Sequence, residues 1–167
     1  RELIKKDLGE FPFFDFWGPS AGINSSKWIA EAAKWIDKKY NPTLTLIYLP
    51  HLDYNLQRLG PNNKRILNDV KEVDEVCKNL IEYYKQKNAR IIFLSEYGIT
   101  QVSKPIHINR FLRENGLLKV REELGLEILD AGASEAFAVA DHQVAHVYVN
   151  NKKLKKKIYD ILMSLKD

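Results

Sequence analysis

Cysteine pairs, long apolar runs and a strong charge of one sign are what this sequence has least of. A single cysteine, Cys77, among 167 residues leaves no internal disulfide framework. Its place within an apolar helical stripe marks it as core filler rather than nucleophile, which fits a reducing compartment, and the expected location is cytoplasmic. No apolar run approaches the roughly 18 residues of a membrane span, so no membrane partner is expected. No signal-type segment opens the chain either, although it starts at Arg1 and leaves a targeting segment upstream open. The net charge is only +4. Much of it sits in Lys152, Lys153, Lys155, Lys156 and Lys157, which open a segment with Leu154, Ile158, Ile161 and Leu165 at helical spacing. Without aromatic or arginine interleaving these lysines read as a solvated helix face, and no nucleic-acid partner is expected. A glycine-rich phosphate loop, a hydrolase elbow, a catalytic triad and an internal repeat are all missing.

What is present suffices for a core: 45% of residues are hydrophobic, 29% are charged with both signs mixed, and one domain spanning 1–167 is expected. Residues 1–24 read as an irregular, aromatic-rich covering segment, because Phe11 to Pro19 is too aromatic for a solvated loop and too broken by proline for a helix. Ser25 and Ser26 offer N-caps to a helix with an apolar face of Trp28, Ile29, Ala32, Ala33, Trp35 and Ile36, ending before Asn41-Pro42. Thr43 to Leu49 and Arg90 to Ser95 read as buried strands. Between them a long helix starting at Pro61 carries Ile66, Val70, Val73, Cys77, Leu80 and Tyr84. Strand, helix and strand at these lengths describe a right-handed parallel crossover. A shorter helix from Ile108 to Glu114, an extended Leu117 to Val120, and strands over Phe137–Asp141 and His146–Val149 follow.

Functional side chains of parallel α/β sheets gather beyond the carboxyl ends of the strands. Here those positions are Leu49-Pro50-His51-Leu52-Asp53-Tyr54 onward, and Ser95-Glu96-Tyr97-Gly98-Ile99. Asp53 and Glu96 at one sheet edge would repel unless a cation or proton lay between them, although a carboxylate after a strand is also a common helix cap.

The stretch from Thr43 to Gly60-Pro61 resembles the segment of nucleotide pyrophosphatases in which a strand leads to a metal-binding Asp, then a His four residues on, then Gly-Pro. Asp53 matches the ligand, and Gln57 stands where the His would be. Ser95-Glu96-Tyr97-Gly98-Ile99 is similar to the Ser-Asp-His-Gly segment of the alkaline phosphatase superfamily, with Glu96 keeping the carboxylate and Tyr97 replacing the imidazole. His107 to Leu118, Ala136 to Ala140 and Val147 to Asn150 resemble the helix, strand and hairpin that follow. The likeness is to the type I phosphodiesterase and nucleotide pyrophosphatase family, in its bacterial and archaeal subgroup.

That resemblance implies an α/β fold, part of a three-layer α/β/α sandwich with a mainly parallel sheet. It implies a phosphoric ester hydrolase that cleaves phosphodiester or pyrophosphate bonds in nucleotides or related small phosphates. Two divalent ions, Zn or Mn/Mg, would be held by Asp53 and Glu96, with His51, Gln57, Tyr97, His142 and His146 as candidate metal or substrate contacts. The Thr or Ser nucleophile and a further metal-binding His are expected outside this chain, which then reads as the middle and later part of a longer domain, inactive by itself. Phosphonate or phosphomonoester hydrolysis, and a non-catalytic metal- or partner-binding relative, are the competing readings. No oligomeric state can be read.

Overall fold

The computed structural model describes residues 2–165, and the chain divides into two compact units, Arg1–Ser103 and Lys104–Asp167. Both mix helix with extended chain, and the sheets of the described residues are small and antiparallel.

The first unit begins with α1 (Glu2–Leu8) and the short α2 (Phe13–Phe16), so its aromatic opening is helical in two pieces rather than irregular. Phe11 meets Trp28 edge to face at 5.2 Å, and the indole N–H of Trp35 donates to Asp7 at 2.8 Å; these contacts fasten the segment to α3 (Ile23–Tyr40). Ser25 and Ser26 do not cap α3. Gly22 is its N-cap, and both serines lie fully buried inside the first turns. The Ser25 hydroxyl turns back to the Gly22 carbonyl at 3.0 Å, the local bonding that lets serine sit inside a helix. α3 ends as expected at Asn41, whose left-handed φ of 46° closes the last turn.

α4 (His51–Leu59) occupies what reads from sequence as loop, and α5 (Ile66–Gln86) starts later than Pro61. The delay has a local cause: the Asn63 side chain accepts from the Arg65 N–H at 3.0 Å and turns the chain before the helix begins. Ala30, Val76 and Leu80 form the core between α3 and α5, joined by Ile23, Ile47, Leu49 and Tyr84. Cys77 is buried there, and burial pushes its thiol above the ordinary value. On the polar side of this contact, the buried Asp37 accepts from the Tyr83 hydroxyl at 2.7 Å and from Lys87.

The two expected strands do not pair. Thr43 to Leu49 alternates as extended chain does, with Thr45, Ile47 and Leu49 half-buried and Leu44, Leu46 and Tyr48 exposed, yet it joins no ladder. Ile92, Phe93 and Leu94 are likewise exposed and outside any sheet. Both segments border one cavity of about 320 Å³ with Cys77, Leu80 and Tyr84. A parallel strand needs neighbours to take up its slanted hydrogen bonds, and these two segments do not supply them to each other.

In the second unit α6 (Ile108–Glu114) and the last two strands fall close to where the pattern put them, whereas the extended segment expected over Leu117 to Val120 runs over Lys119–Glu123, and its partner strand, Leu126–Asp130, is not foreshadowed by the pattern. The hairpins are β1 (Lys119–Glu123) with β2 (Leu126–Asp130), and β3 (Ala136–Asp141) with β4 (Val144–Val149). A 3₁₀ turn, Lys152–Leu154, leads into α7 (Lys155–Met163), whose Ile158 buries against Leu112, Leu117, Leu118 and Ala136. Asn109 fixes α6 to β3 by pairing with both backbone groups of Ala138, at 2.7 and 2.8 Å. Its amide thereby does for Ala138 what a neighbouring strand would. Among the described residues no helix is long and apolar enough to cross a membrane.

Candidate functional site

Pro50 starts α4 with φ −79°, as helix entry requires, and Asp53 lies in the first turn, where free N–H groups favour negative charge. Two phenols converge on that carboxylate. The Tyr97 hydroxyl donates to Asp53 Oδ2 at 2.7 Å and the Tyr48 hydroxyl donates to the same oxygen at 3.1 Å. Oδ1 takes no hydrogen bond from the described residues. One acid therefore joins the end of the first extended segment, the start of α4 and the segment after the second.

The bond to Asp53, then burial, holds the Tyr97 hydroxyl well above its ordinary range, and the charges of Asp53 and Glu96 add to this. Burial chiefly, then its bond to Asp53, raises Tyr48, and Glu96 contributes again. Both phenols are thus proton donors near neutrality and orient Asp53 rather than compete with it as anions. Glu96 and Tyr97 are exposed and Asp53 is half-buried, so the cluster opens to solvent.

Gln57 follows Asp53 by one helical turn on the same face of α4 and is exposed. Gly60 closes α4 at φ 78°, and a Cβ there would come within 2.5 Å of Gln101 Oε1. The Gln101 side chain can swing aside, so it is the left-handed backbone that favours glycine here. Arg58 extends from the same helix to the carbonyls of Ala21 and Gly18, at 2.9 and 3.0 Å, and holds α4 beside the start of α3.

The histidines divide. His51 is buried, with its ring turned to Asp69 and Glu72 of α5. His142 sits at the β3–β4 turn at φ 54°, exposed, 3.6 Å from Asp141, and His146 is exposed on β4 opposite Val139; both belong to the second unit. His107 is the N-cap residue of α6, and its side chain makes no cap hydrogen bond. Tyr48, Asp69 and Glu72 were not singled out from sequence. Tyr48 reads there only as a strand residue, whereas Asp69 was detectable as an acid inside the apolar stripe of Ile66, Val73 and Cys77.

The sequence pattern of the family described as type I phosphodiesterase / nucleotide pyrophosphatase matches residues 4–164. An uncharacterized pyrophosphatase/phosphodiesterase of Schizosaccharomyces pombe is 37% identical over 76 residues, covering 42% of this chain and 16% of the relative. The chain thus matches about a sixth of that relative's length. No solved structure matches. With nearly its whole described length inside the family pattern, the chain belongs to the type I phosphodiesterase / nucleotide pyrophosphatase family.

Proposed function

We propose that this chain contributes to the active site of a metal-dependent hydrolase that cleaves phosphodiester or pyrophosphate bonds in nucleotides or related small phosphates. The observation that carries the reading is the 2.7 Å bond from Tyr97 to Asp53, which brings the two motif segments to one place. Asp53 and Glu96 would hold the cations, Asp53 through Oδ1. The residues fit such a group, since two carboxylates and two neutral phenols make an oxygen-rich donor set with negative charge to neutralise. That set suits Mn or Mg alongside Zn.

When bound, a pair of divalent ions would stabilise the attacking and leaving oxygens of an in-line displacement at phosphorus. Tyr48 and Tyr97 keep Asp53 in one orientation by donating to Oδ2. Gln57 stands one turn away as a neutral polar group facing the same side. The Thr or Ser nucleophile belongs, in this reading, to residues outside this chain, so the chain alone does not turn over. The unpaired Thr43 to Leu49 and Arg90 to Ser95 would then be strands of a parallel sheet within a three-layer α/β/α sandwich. Their exposed apolar side chains, Leu44, Leu46, Ile92 and Leu94, support this.

Because Tyr97 already donates to Asp53, and among the described residues no imidazole bonds to that carboxylate, a second reading is a relative that keeps the fold to bind metal or a partner. Assays of the longer protein with chromogenic phosphodiester, phosphomonoester and phosphonate substrates, each with Zn, Mn and Mg, separate the cases. Diester turnover above the other two is expected. Turnover only of monoester or phosphonate would shift the substrate class, and none with any metal would favour the binding relative.

A further inference from the structure

The first turn of α4 places His51 against α5 with its side chain only 4% exposed, and neither ring nitrogen has a hydrogen-bond partner. Facing it are Asp69 and Glu72, three residues apart on one face of α5. Asp69 is nine-tenths buried, and its Oδ2 also lacks a partner. One donor atom from each of the three residues lies within 4.8 Å of the others. The unpartnered, buried atoms of His51 and Asp69 are costly unless something joins them, and Glu72 reaches them from the solvent side.

The spacing indicates what that is. His51 Nε2 is 3.2 Å from Glu72 Oε2 and 3.9 Å from Asp69 Oδ1. The shorter separation is within reach of a hydrogen bond, yet the pair forms none. Two atoms that each stand about 2.1 Å from one zinc ion at a tetrahedral angle are roughly 3.4 Å apart, and the oxygen is then necessarily off the nitrogen's lone-pair axis. A 3.2 Å pair that forms no hydrogen bond, close to the separation of two ligands on one ion, is therefore apt for a shared cation. The wider Asp69 distance closes with a carboxylate rotation.

We propose that His51, Asp69 and Glu72 form a second cation site, selective for a borderline divalent ion such as zinc over magnesium. One imidazole with two carboxylates is the mixed donor set that zinc accepts, whereas magnesium prefers oxygen and keeps its water. The site uses none of the donors assigned to hydrolysis. It ties α4 to α5, so the ion steadies the helix that carries Asp53.

The test is calorimetric titration of the whole chain carrying Asp53→Asn and Glu96→Gln, which removes the donors of the proposed catalytic site beforehand. One zinc ion should bind, at least about tenfold more tightly than in the same chain with Glu72→Gln added, and magnesium at equal concentration should not displace it. Glu72 is half-exposed, so its substitution spares the fold. His51→Gln is the second variant, and its circular dichroism spectrum reports whether it folds. Zinc should raise Tm in the parent and leave Tm of the Glu72→Gln chain unchanged, and the His51 ring resonances should shift as zinc is added. Zinc binding indifferent to both substitutions, or none in a folded parent, would overturn the site. Since Asp53 and Glu96 are absent throughout, neither result bears on the hydrolytic reading.

Discussion

Asp37 is the clearest case of one residue setting a property of the chain. The Lys87 ammonium, then the Tyr83 hydroxyl, hold its carboxyl below the ordinary range despite burial. A carboxyl depressed in the folded state adds stability above its unfolded value of about 3.9, and that stability is lost as pH falls through the folded value. Urea unfolding from pH 7 to pH 2 should therefore show the parent losing stability below about pH 5. Asp37→Asn should begin lower at neutral pH, lose less on acidification and converge with the parent in acid. Curves that stay parallel throughout would mean that Asp37 is not the titrating group. Asp37 was not singled out from sequence because its position, late in a charged helix turn, resembles that of Lys38 and Lys39 beside it. Only the packing of Tyr83 and Lys87 from α5 separates them.

At the scale of elements, α4 converts a sequence motif into a site. Its i, i+4 spacing puts Gln57 beside Asp53, where the family resemblance has a histidine, so Gln57→His should add an imidazole ligand. Zinc affinity should then rise by on the order of tenfold, and the gain should vanish when Asp53→Asn is combined with it. A gain that survives Asp53→Asn would place the new ligand elsewhere. The helices and the last hairpin of the second unit were legible because their patterns are local: Ile108 and Leu112 stand one helical turn apart, as do Leu154, Ile158 and Ile161 in turn, and Ala136 to Asp141 is short and apolar, whereas Leu126 to Asp130 carries no such pattern. The start of α5 was misread because Pro61 is a good helix opener, while the side-chain turn at Asn63 that displaces it is weak in sequence. The segment around Asp53 was not legible as a helix. Its strand-like approach, ending in Leu49-Pro50, masks the turn that begins immediately after.

Over the whole molecule, the unpaired apolar rows are the main departure from a finished core. Leu46 is 86% exposed and Ile92 79% exposed, although both lie in segments that read from sequence as buried strands. Pairing of strands depends on residues far apart in sequence, so the pattern revealed their character but not their neighbours. If they are sheet strands of a larger domain, Leu46→Lys or Ile92→Lys should change the stability of this chain by less than about 0.5 kcal/mol, as surface substitutions do. In the longer protein the same changes should be severely destabilising, as a charge placed in a core is. Equal, small effects in both settings, measured by thermal unfolding, would mean that these rows face solvent in the longer protein too.

The central claim is that Asp53, reached by Tyr97 across the two motif segments, holds metal for phosphoester hydrolysis. The direct measurement is turnover of a chromogenic phosphodiester by the longer protein bearing Asp53→Asn at saturating metal. The substitution removes the charge at constant shape, and the one amide oxygen it leaves can still accept from Tyr48 and Tyr97 in the place of Oδ2. The account predicts a loss of at least about a hundredfold in turnover with Tm nearly unchanged, as expected when a metal-site group is removed. Parent-like turnover by that variant would contradict it.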